Sequence, residues 1–410
     1  MPPLAVDAWR TLLTPDAEPL LAAVRDADPG SPATLERLRR LVPPGHDAAA
    51  LVRVAMQRAH ARRKADAKRI PRADRLLADP DAIEQATAWP VALYKARRLA
   101  HAWRQLATER RRPLLDLCSG AGIDAMALRN AGTPVLALDA DPARALMTRH
   151  NAGCPVACAD IANLRLAGRP FHLDPARRDA ATGRRAHRLA DYAPDPYALA
   201  DPLAAAPFGL IKLSPGVDRD EAHHLADRFP ADTQLEFVSH DHALGHAHLW
   251  LDTTHALNLT NAPRAAARID PIGQAATLAG APGQPDIAPL GAYLFTVDAA
   301  VERAELMHRL GLPSPHPALG LLTADEPSDS PWLTPFRVLD HRPYQLKRLK
   351  RILAEHHAGV VEVKTRDKAV DPDRLQHQLR GNAPADPART LTVFVLRWDR
   401  SLHATVTRRL

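Results

Sequence analysis

Through the first hundred residues, apolar positions recur at three- and four-residue spacing. Leu35, Leu38, Leu41 and Val42 form one series, and Leu51, Val54, Ala55 and Ala59 form another. Residues three and four apart share one helix face, so the spacing predicts helices. Pro43-Pro44-Gly45 breaks the first helices from the next, and Pro71 and Pro80 punctuate further. From residue 113 the pattern becomes short apolar runs alternating with helical stretches. Strands are expected at 113–118, 134–139, 156–159, 171–174 and 210–213, with a last pair at 234–239 and 248–251. Helices are expected at 123–130 and 142–151, the second with Pro142 in its first turn, where a missing N–H costs nothing. Strands alternating with helices predict a parallel, doubly wound sheet.

Residues 261–288 are rich in Ala, Pro and Gly and are expected to contain a domain boundary. Beyond them a strand is expected at 292–297, a helix at 299–311 and a Pro-rich connector at 312–331. The last eighty residues alternate again. A strand near 336–339, a basic helix at 344–356, a strand at 359–364, a helix at 371–380 and a strand at 391–396 make a small α/β unit of ferredoxin-like size. The fold class expected is α/β, a Rossmann-like sheet with a helical N-terminal region and small α+β C-terminal domains. The divisions fall at 1–95 for the helical region, 96–262 for the core, 263–330 for a small unit with its linker, and 331–410 for the last domain.

The charge count changes the picture only modestly. There are 54 Lys and Arg against 47 Asp and Glu, a net charge of +7. A basic surplus permits a polyanionic partner. The chain is also crowded with Ala, Arg and Pro, a bias that GC-rich coding produces without selection for binding. Between residues 53 and 75 stand Arg58, His60, Arg62, Arg63, Lys64, Lys68, Arg69, Arg72 and Arg75. On a helix these spread around the surface, as a solvated face or as an RNA groove. The three cysteines, Cys118, Cys154 and Cys158, are too few for a disulfide scaffold and fit a reducing cytoplasm. No apolar run reaches the roughly 18 residues of a membrane span, so no membrane association is expected. The N-terminus carries early charge and no long apolar core, which argues against a signal peptide.

The strongest chemical signal is Asp116-Leu117-Cys118-Ser119-Gly120-Ala121-Gly122, between an expected strand and an expected helix. Gly120 and Gly122 let the backbone turn tightly and approach a ligand, with the N–H groups of the helix start beside it. The turn lacks the third glycine of the dinucleotide fingerprint and the Lys-Ser/Thr of a phosphate loop. Its front edge is instead acidic. S-adenosylmethionine has no phosphate, but it carries an ammonium and a sulfonium, which the Asp116 carboxylate suits. Asp139, at the end of the next strand, can accept hydrogen bonds from both ribose hydroxyls. Asp160 is placed to meet the adenine amino group. Asp174-Pro175 ends the fourth strand, where the reactive methyl would sit. The four elements in this order point to S-adenosylmethionine as the cofactor, with Cys118 within its turn.

These motifs resemble those of bacterial class I methyltransferases that carry a C-terminal THUMP-like domain. The matching pieces are Ile83-Glu84-Gln85-Ala86-Thr87, the run from Asp116 to Leu128, Ala137-Leu138-Asp139-Ala140-Asp141-Pro142, and His172-Leu173-Asp174-Pro175-Ala176-Arg177-Arg178 followed by Gly183-Arg184-Arg185. Asp191-Tyr192, the segment from Ile211 to Gly216 and the terminal run from Val361 to Asp371 complete the likeness. It implies a methyltransferase core over 96–262, a ferredoxin-like unit within 263–330 and a THUMP-like domain over 331–410. THUMP domains proper are RNA-binding modules of tRNA-modifying enzymes, and the core resembles trimethylguanosine synthases. The resemblance makes Glu84 and Gln85 candidates for substrate binding, with a helix cap as the alternative. Lys212 and Ser214 end the fifth strand near the same crevice; they contact the acceptor or simply make the turn at Ser214-Pro215-Gly216.

Enzymes that methylate exocyclic amines of bases usually carry an acid or amide followed by Pro-Pro and an aromatic. The acid and the proline carbonyl accept from the amine, and the aromatic stacks on the base. Asp174 and Pro175 fit, Ala176 replaces the second proline, and Arg177 replaces the aromatic. A guanidinium plane can stack on a base. Asp174, Pro175 and Arg177 are therefore the candidate catalytic residues. Methylation at pyrimidine carbon 5 needs a thiolate, and no cysteine follows Cys158. The expected activity is methyl transfer to RNA, tRNA or rRNA, at nitrogen in preference to carbon. A small-molecule or protein methyltransferase, or a non-catalytic RNA-binding protein, are the alternatives. His240, Asp241, His242, His246 and His248 cluster, but strand alternation puts them on opposite faces, so no metal is expected.

Overall fold

The helical period of the first hundred residues becomes six helices in a computed structural model, which describes residues 6–25, 27, 31–164, 166, 168–176, 188–241, 243–259, 262–366, 369–380 and 386–410. The chain divides into two compact units, residues 1–263 with 269–275, and 264–268 with 276–410.

In the first unit, α1 (Val6–Thr11), α2 (Glu18–Ala23), α3 (Pro32–Arg39) and α4 (Ala48–Ala67) bury Trp9, Leu20, Leu38, Leu51 and Val54 in a common core. α4 starts where Asp47 accepts from the N–H groups of Ala49 and Ala50 at 2.9 and 3.0 Å. The cap satisfies two donors that a helix start leaves open. Two further helices, α5 (Pro80–Gln85) and α6 (Trp89–Gln105), lead into the sheet.

That sheet holds β1 (Leu114–Leu117), β2 (Val135–Asp139), β3 (Val156–Cys158), β4 (Phe171–Leu173), β5 (Phe208–Leu213), β6 (Asp232–His240) and β7 (Ala243–Asp252). Their order is β3-β2-β1-β4-β5-β7-β6. The first five strands pair in parallel. The connections carry α7 (Ile123–Asn130), α8 (Pro142–Ala152), α9 (Ala200–Leu203) and α10 (Arg219–Ala226). This is the expected Rossmann-like α/β sheet. β7 runs antiparallel between β5 and β6. Only two residues separate β6 from β7, and a parallel return needs a crossover of about a dozen. Strand order reverses between β1 and β4, which opens a crevice at their carboxyl ends.

The second unit begins with all of β8 (Arg264–Ile269) but its last residue and all of β9 (Ala275–Gly280) but its first. It continues through β10 (Tyr293–Val297), α11 (Ala299–Arg303), β11 (Leu321–Ala324), β12 (Leu333–Pro343), α12 (Leu346–Glu355), β13 (Val360–Thr365), α13 (Pro372–Leu379), β14 (Thr390–Trp398) and β15 (Ser401–Arg409). Six of these strands form one sheet in the order β11-β10-β12-β15-β14-β13. Leu349, Ile352 and Leu353 of α12, with Leu375 and Leu379 of α13, pack on Val393, Val395 and Val406.

Four expectations change here. The Ala-rich stretch after residue 261 contains β8 and β9. Alanine has low strand propensity, yet Ala265, Ala266 and Ala267 are all buried. The connector at 312–331 contains β11. The helix expected over 299–311 stops at Arg303 and resumes only as a short 3-10 turn, because Glu305 adopts a φ of 61°. β15 was not expected, since its buried positions include Thr405 and Thr407; Thr407 settles there by donating to the Thr392 carbonyl at 2.8 Å.

A buried polar cluster fastens α6 to the hairpin of β6 and β7. Register sets Glu236 opposite His248. Glu236 accepts from the Tyr94 hydroxyl at 2.6 Å, Arg98 at 3.1 Å, His248 Nδ1 at 3.1 Å and Trp250 Nε1 at 2.9 Å. The Arg98 guanidinium also lies 4.2 Å above the Trp250 ring. Burial would raise the Glu236 carboxyl, but the His248 hydrogen bond and the Arg98 charge hold it at about 2. Burial pushes the His248 imidazole down to about 4, against the pull of Glu236. Its Nε2 is buried without a partner, so a second proton there would have no acceptor.

An imidazole kept neutral by folding contributes stability that is complete above the ordinary value of 6.5 and is lost as the pH falls through about 4. At about 1.4 kcal/mol per tenfold change in proton activity, the loss approaches 3 kcal/mol. Urea unfolding midpoints should therefore fall between pH 6.5 and 5, before most carboxylates titrate, and His248→Gln should flatten that slope. Equal slopes in the two proteins would refute the assignment.

Candidate active site

A cleft of about 980 Å³ opens at the carboxyl ends of β1, β2 and β4. Gln85, Asp116, Cys118, Gly120, Asp139, Asp160, Asp174, Pro175 and Ser214, all singled out from the sequence, line it together. Arg177 lies outside the described residues. Gly122, Glu84 and Lys212 do not line the cleft. Gly122 is the residue before α7 and has a φ of 78°. Glu84 and Gln85 belong to the C-terminal end of α5, so neither caps α6, which follows Ala88. Glu84 forms an exposed ion pair with Lys64 at 3.1 Å. Lys212 is fully buried, where a contact with the acceptor or a turn at the strand end was expected.

The turn after β1 is held from two sides. Asp139 accepts from the Gly120 N–H at 2.8 Å and from the Asp141 N–H at 3.0 Å. Burial raises its carboxyl above the ordinary value, and these N–H groups counter the rise. Each carboxylate oxygen keeps a further lone pair, which suits a pair of ribose hydroxyls. Thr148 on α8 donates to the Gly120 carbonyl at 3.0 Å. Asp160 accepts from Ala162 N at 3.0 Å, opening a short 3-10 turn at the cleft edge. Cys118 has a φ of 62°. Burial first, then the Asp139 and Asp174 carboxylates, pushes its thiol well above the ordinary range, so it stays protonated and weakly nucleophilic.

Beneath the cleft runs a chain of charges that sequence reasoning missed. Register sets Asp116 of β1 beside His172 of β4, and His172 Nδ1 meets Asp116 Oδ1 at 2.8 Å. His172 Nε2 meets Lys95 Nζ at 2.9 Å. Neutral imidazole with its proton on Nδ1 satisfies both contacts. Lys95 pairs with Asp124 at 2.8 Å. The Thr87 hydroxyl donates to Asp124 at 2.9 Å and accepts from Lys95 at 3.3 Å and Lys212 at 3.0 Å. Lys212 then donates to Asp174 Oδ2 at 2.6 Å. Burial opposes ionisation of Asp124, but the charges of Lys95 and Lys212 outweigh it and hold the carboxyl well below its usual range. Thr87 lay within a motif of the family resemblance. His172 lay within another such motif, and Lys95 sits in a run of buried residues, where a titratable side chain at a core position was the signal available.

Asp116 retains one buried oxygen, Oδ2, without a hydrogen-bond partner. Burial raises its carboxyl, only partly offset by His172. An anionic acceptor facing a cleft and lacking a partner fits the ammonium of an amino-acid cofactor. With Asp139 and Asp160 along the same wall, the residues present fit S-adenosylmethionine. The histidine hairpin has other work. His248 is engaged with Glu236, and Arg69 meets both His240 and Asp241 at 2.9 Å. His242 is outside the described residues.

The THUMP domain-like family matches residues 333–409. An uncharacterized S-adenosylmethionine-dependent methyltransferase of Mycobacterium tuberculosis, found in strains CDC 1551 / Oshkosh and ATCC 25618 / H37Rv, is 30% identical over 309 residues. The alignment covers 73% of this chain and 80% of that protein. A crystal structure from Porphyromonas gingivalis W83, assigned to a methyltransferase, aligns with 96% of this chain and 98% of its own at a TM-score of 0.68 and 17% identity. That likeness shows a shared fold.

The two glycines of the turn should respond differently to substitution. A Cβ on Gly122 would stand 2.8 Å from the Thr148 Cα, whereas one on Gly120, at a φ of 58°, would meet open space. Gly120→Ala should cost about 1 kcal/mol from backbone strain alone. Gly122→Ala should cost roughly 3 kcal/mol, because a helix backbone must also move. Denaturant unfolding checks the order, and equal losses would contradict it.

Proposed function

Because this chain belongs to the S-adenosylmethionine-dependent methyltransferases and ends in a THUMP-like domain at residues 333–409, we propose that it methylates a base of tRNA or rRNA at a nitrogen. The observation that carries the nitrogen acceptor is Asp174-Pro175 at the cleft, with Asp174 held by Lys212 at 2.6 Å. An exocyclic amine has two N–H groups to donate, and the Asp174 carboxylate with the Pro175 carbonyl offers two acceptors. Cys118 is the cleft-lining cysteine, and its raised thiol argues against a thiolate route to carbon.

The cofactor, when bound, supplies an electrophilic methyl group on a sulfonium. The chain's own residues do the positioning. Asp116, Asp139 and Asp160 hold the cofactor's ammonium, ribose and adenine in this reading. Asp174 accepts from the amine and keeps its lone pair aimed along the line of transfer. Little general-base help is needed when the acceptor is polarised and aligned, so alignment supplies most of the rate. Residues 96–262 perform the transfer in this scheme, while the domain at 331–410 binds RNA. Lys347, Arg348, Lys350 and Arg351 of α12 are all exposed and suit contacts to phosphates.

Three measurements test this. Nucleoside mass spectrometry of RNA from a deletion strain should lack one N-methylated base, restored by the protein with S-adenosylmethionine; unchanged nucleosides in both tRNA and rRNA would sink the RNA reading. Asp139→Ala should weaken S-adenosylmethionine binding by calorimetry by about tenfold or more, a loss of about 1.4 kcal/mol. Lys212→Met should lower kcat by about 10- to 100-fold with cofactor affinity nearly unchanged, and Lys212→Arg should recover part of it. A Lys212→Met variant of normal kcat would remove Lys212 from the positioning of Asp174.

A further inference from the structure

The basic stretch of α4 separates into two kinds of arginine. Arg53 is exposed and accounts for itself as a solvated residue. Arg58 and Arg62 stand one helical turn apart, so they share a face, and that face borders a pocket of about 380 Å³. Arg25, just after α2, and Arg63 line the same pocket, and Asp74 is the carboxylate among its lining residues. Asp74 is itself exposed and lies 3.9 Å from Arg75 outside the pocket.

A solvated face does not explain this arrangement. Arg58 is only 7% exposed. Its Nε donates to the Leu76 carbonyl at 2.9 Å and its Nη2 to the Arg75 carbonyl at 3.4 Å, which fixes the guanidinium plane. The Arg62 Nε is buried and has no hydrogen-bond partner. A buried N–H left unmatched is costly, and so is a guanidinium withdrawn from water among like charges. Burial, with Arg62 and Arg25 nearby, pushes Arg58 down to about 10, and burial lowers Arg62 as well. An oxyanion would relieve both costs, matching planar donor forks with acceptor oxygens.

We propose that the pocket between α2 and α4 binds a phosphate group, held by Arg62 and Arg25 over the fixed guanidinium of Arg58, with Arg63 at its rim. A phosphodiester of bound RNA and a free phosphate present the same tetrahedral oxyanion. Choosing the RNA source rests on the function proposed above; the pocket itself does not.

Equilibrium dialysis of the full chain against radiolabelled inorganic phosphate tests the pocket. Wild-type protein should bind one phosphate saturably, and Arg62→Gln and Arg25→Gln should each bind at least about tenfold more weakly, one guanidinium contact being worth that factor. Arg53→Gln should bind normally, and all three variants should keep cofactor affinity, which shows that they fold. No saturable binding by wild type, or equal binding by the Arg62→Gln variant, overturns the proposal. A salt titration of tRNA binding then identifies the source. A slope reduced by about one in Arg62→Gln, with phosphate competing, supports the phosphodiester. Weakened phosphate binding with unchanged tRNA binding supports a free phosphate. Neither dialysis result depends on whether RNA is methylated.

Discussion

The buried chain of charges from Asp116 to Asp174 is the constraint on which the cleft depends. Two lysines, Lys95 and Lys212, stand against three carboxylates, with His172 and the Thr87 hydroxyl linking them. No member can leave without stranding another, and an uncompensated buried charge costs about 3–5 kcal/mol. The chain joins α6, α7, β1, β4 and β5 with the segment before α6. Asp116 and Asp174, which face the cleft, are thereby set before any ligand arrives. Such preorganisation matters for a transfer that relies on alignment.

α6 is the common support. Its Lys95 reaches the chain under the cleft, while Tyr94 and Arg98 reach Glu236 on β6. One helix therefore couples the parallel half of the sheet to the antiparallel hairpin of β6 and β7. Burying a carboxylate under four donors fixes the register of β6 on β7, because a slip of one residue would turn Glu236 away from all of them.

Charge is also distributed with a purpose consistent with the proposed function. The cleft converges Asp116, Asp139, Asp160 and Asp174, which favours a cationic cofactor and repels phosphates. In the proposed function the polyanionic acceptor is held elsewhere. The exposed basic face of α12 and the arginine pocket beside α4 are each suited to that.

The succession of strands and helices along the core, the Gly-rich turn and the acids near the ends of successive strands were legible in the sequence, because they depend on local period and on turn chemistry. Asp116, Asp139, Asp160 and Asp174 meet in one cleft for that reason. The strands β8, β11 and β15 were not legible, since their alanines and threonines are buried by neighbours distant in the chain rather than by local preference. The same limit applied to Lys212, Lys95 and His172. A lysine near a strand end reads as a surface contact, and only the meeting of Lys212 with Asp174 and Thr87, 38 and 125 residues away, makes it a buried one. The sequence by itself determined the fold class and the acids that line the cleft. Tertiary structure decided which charges are paired beneath the cleft and which arginines share a pocket, because pairing in three dimensions is set by strand register and helix packing, not by spacing along the chain.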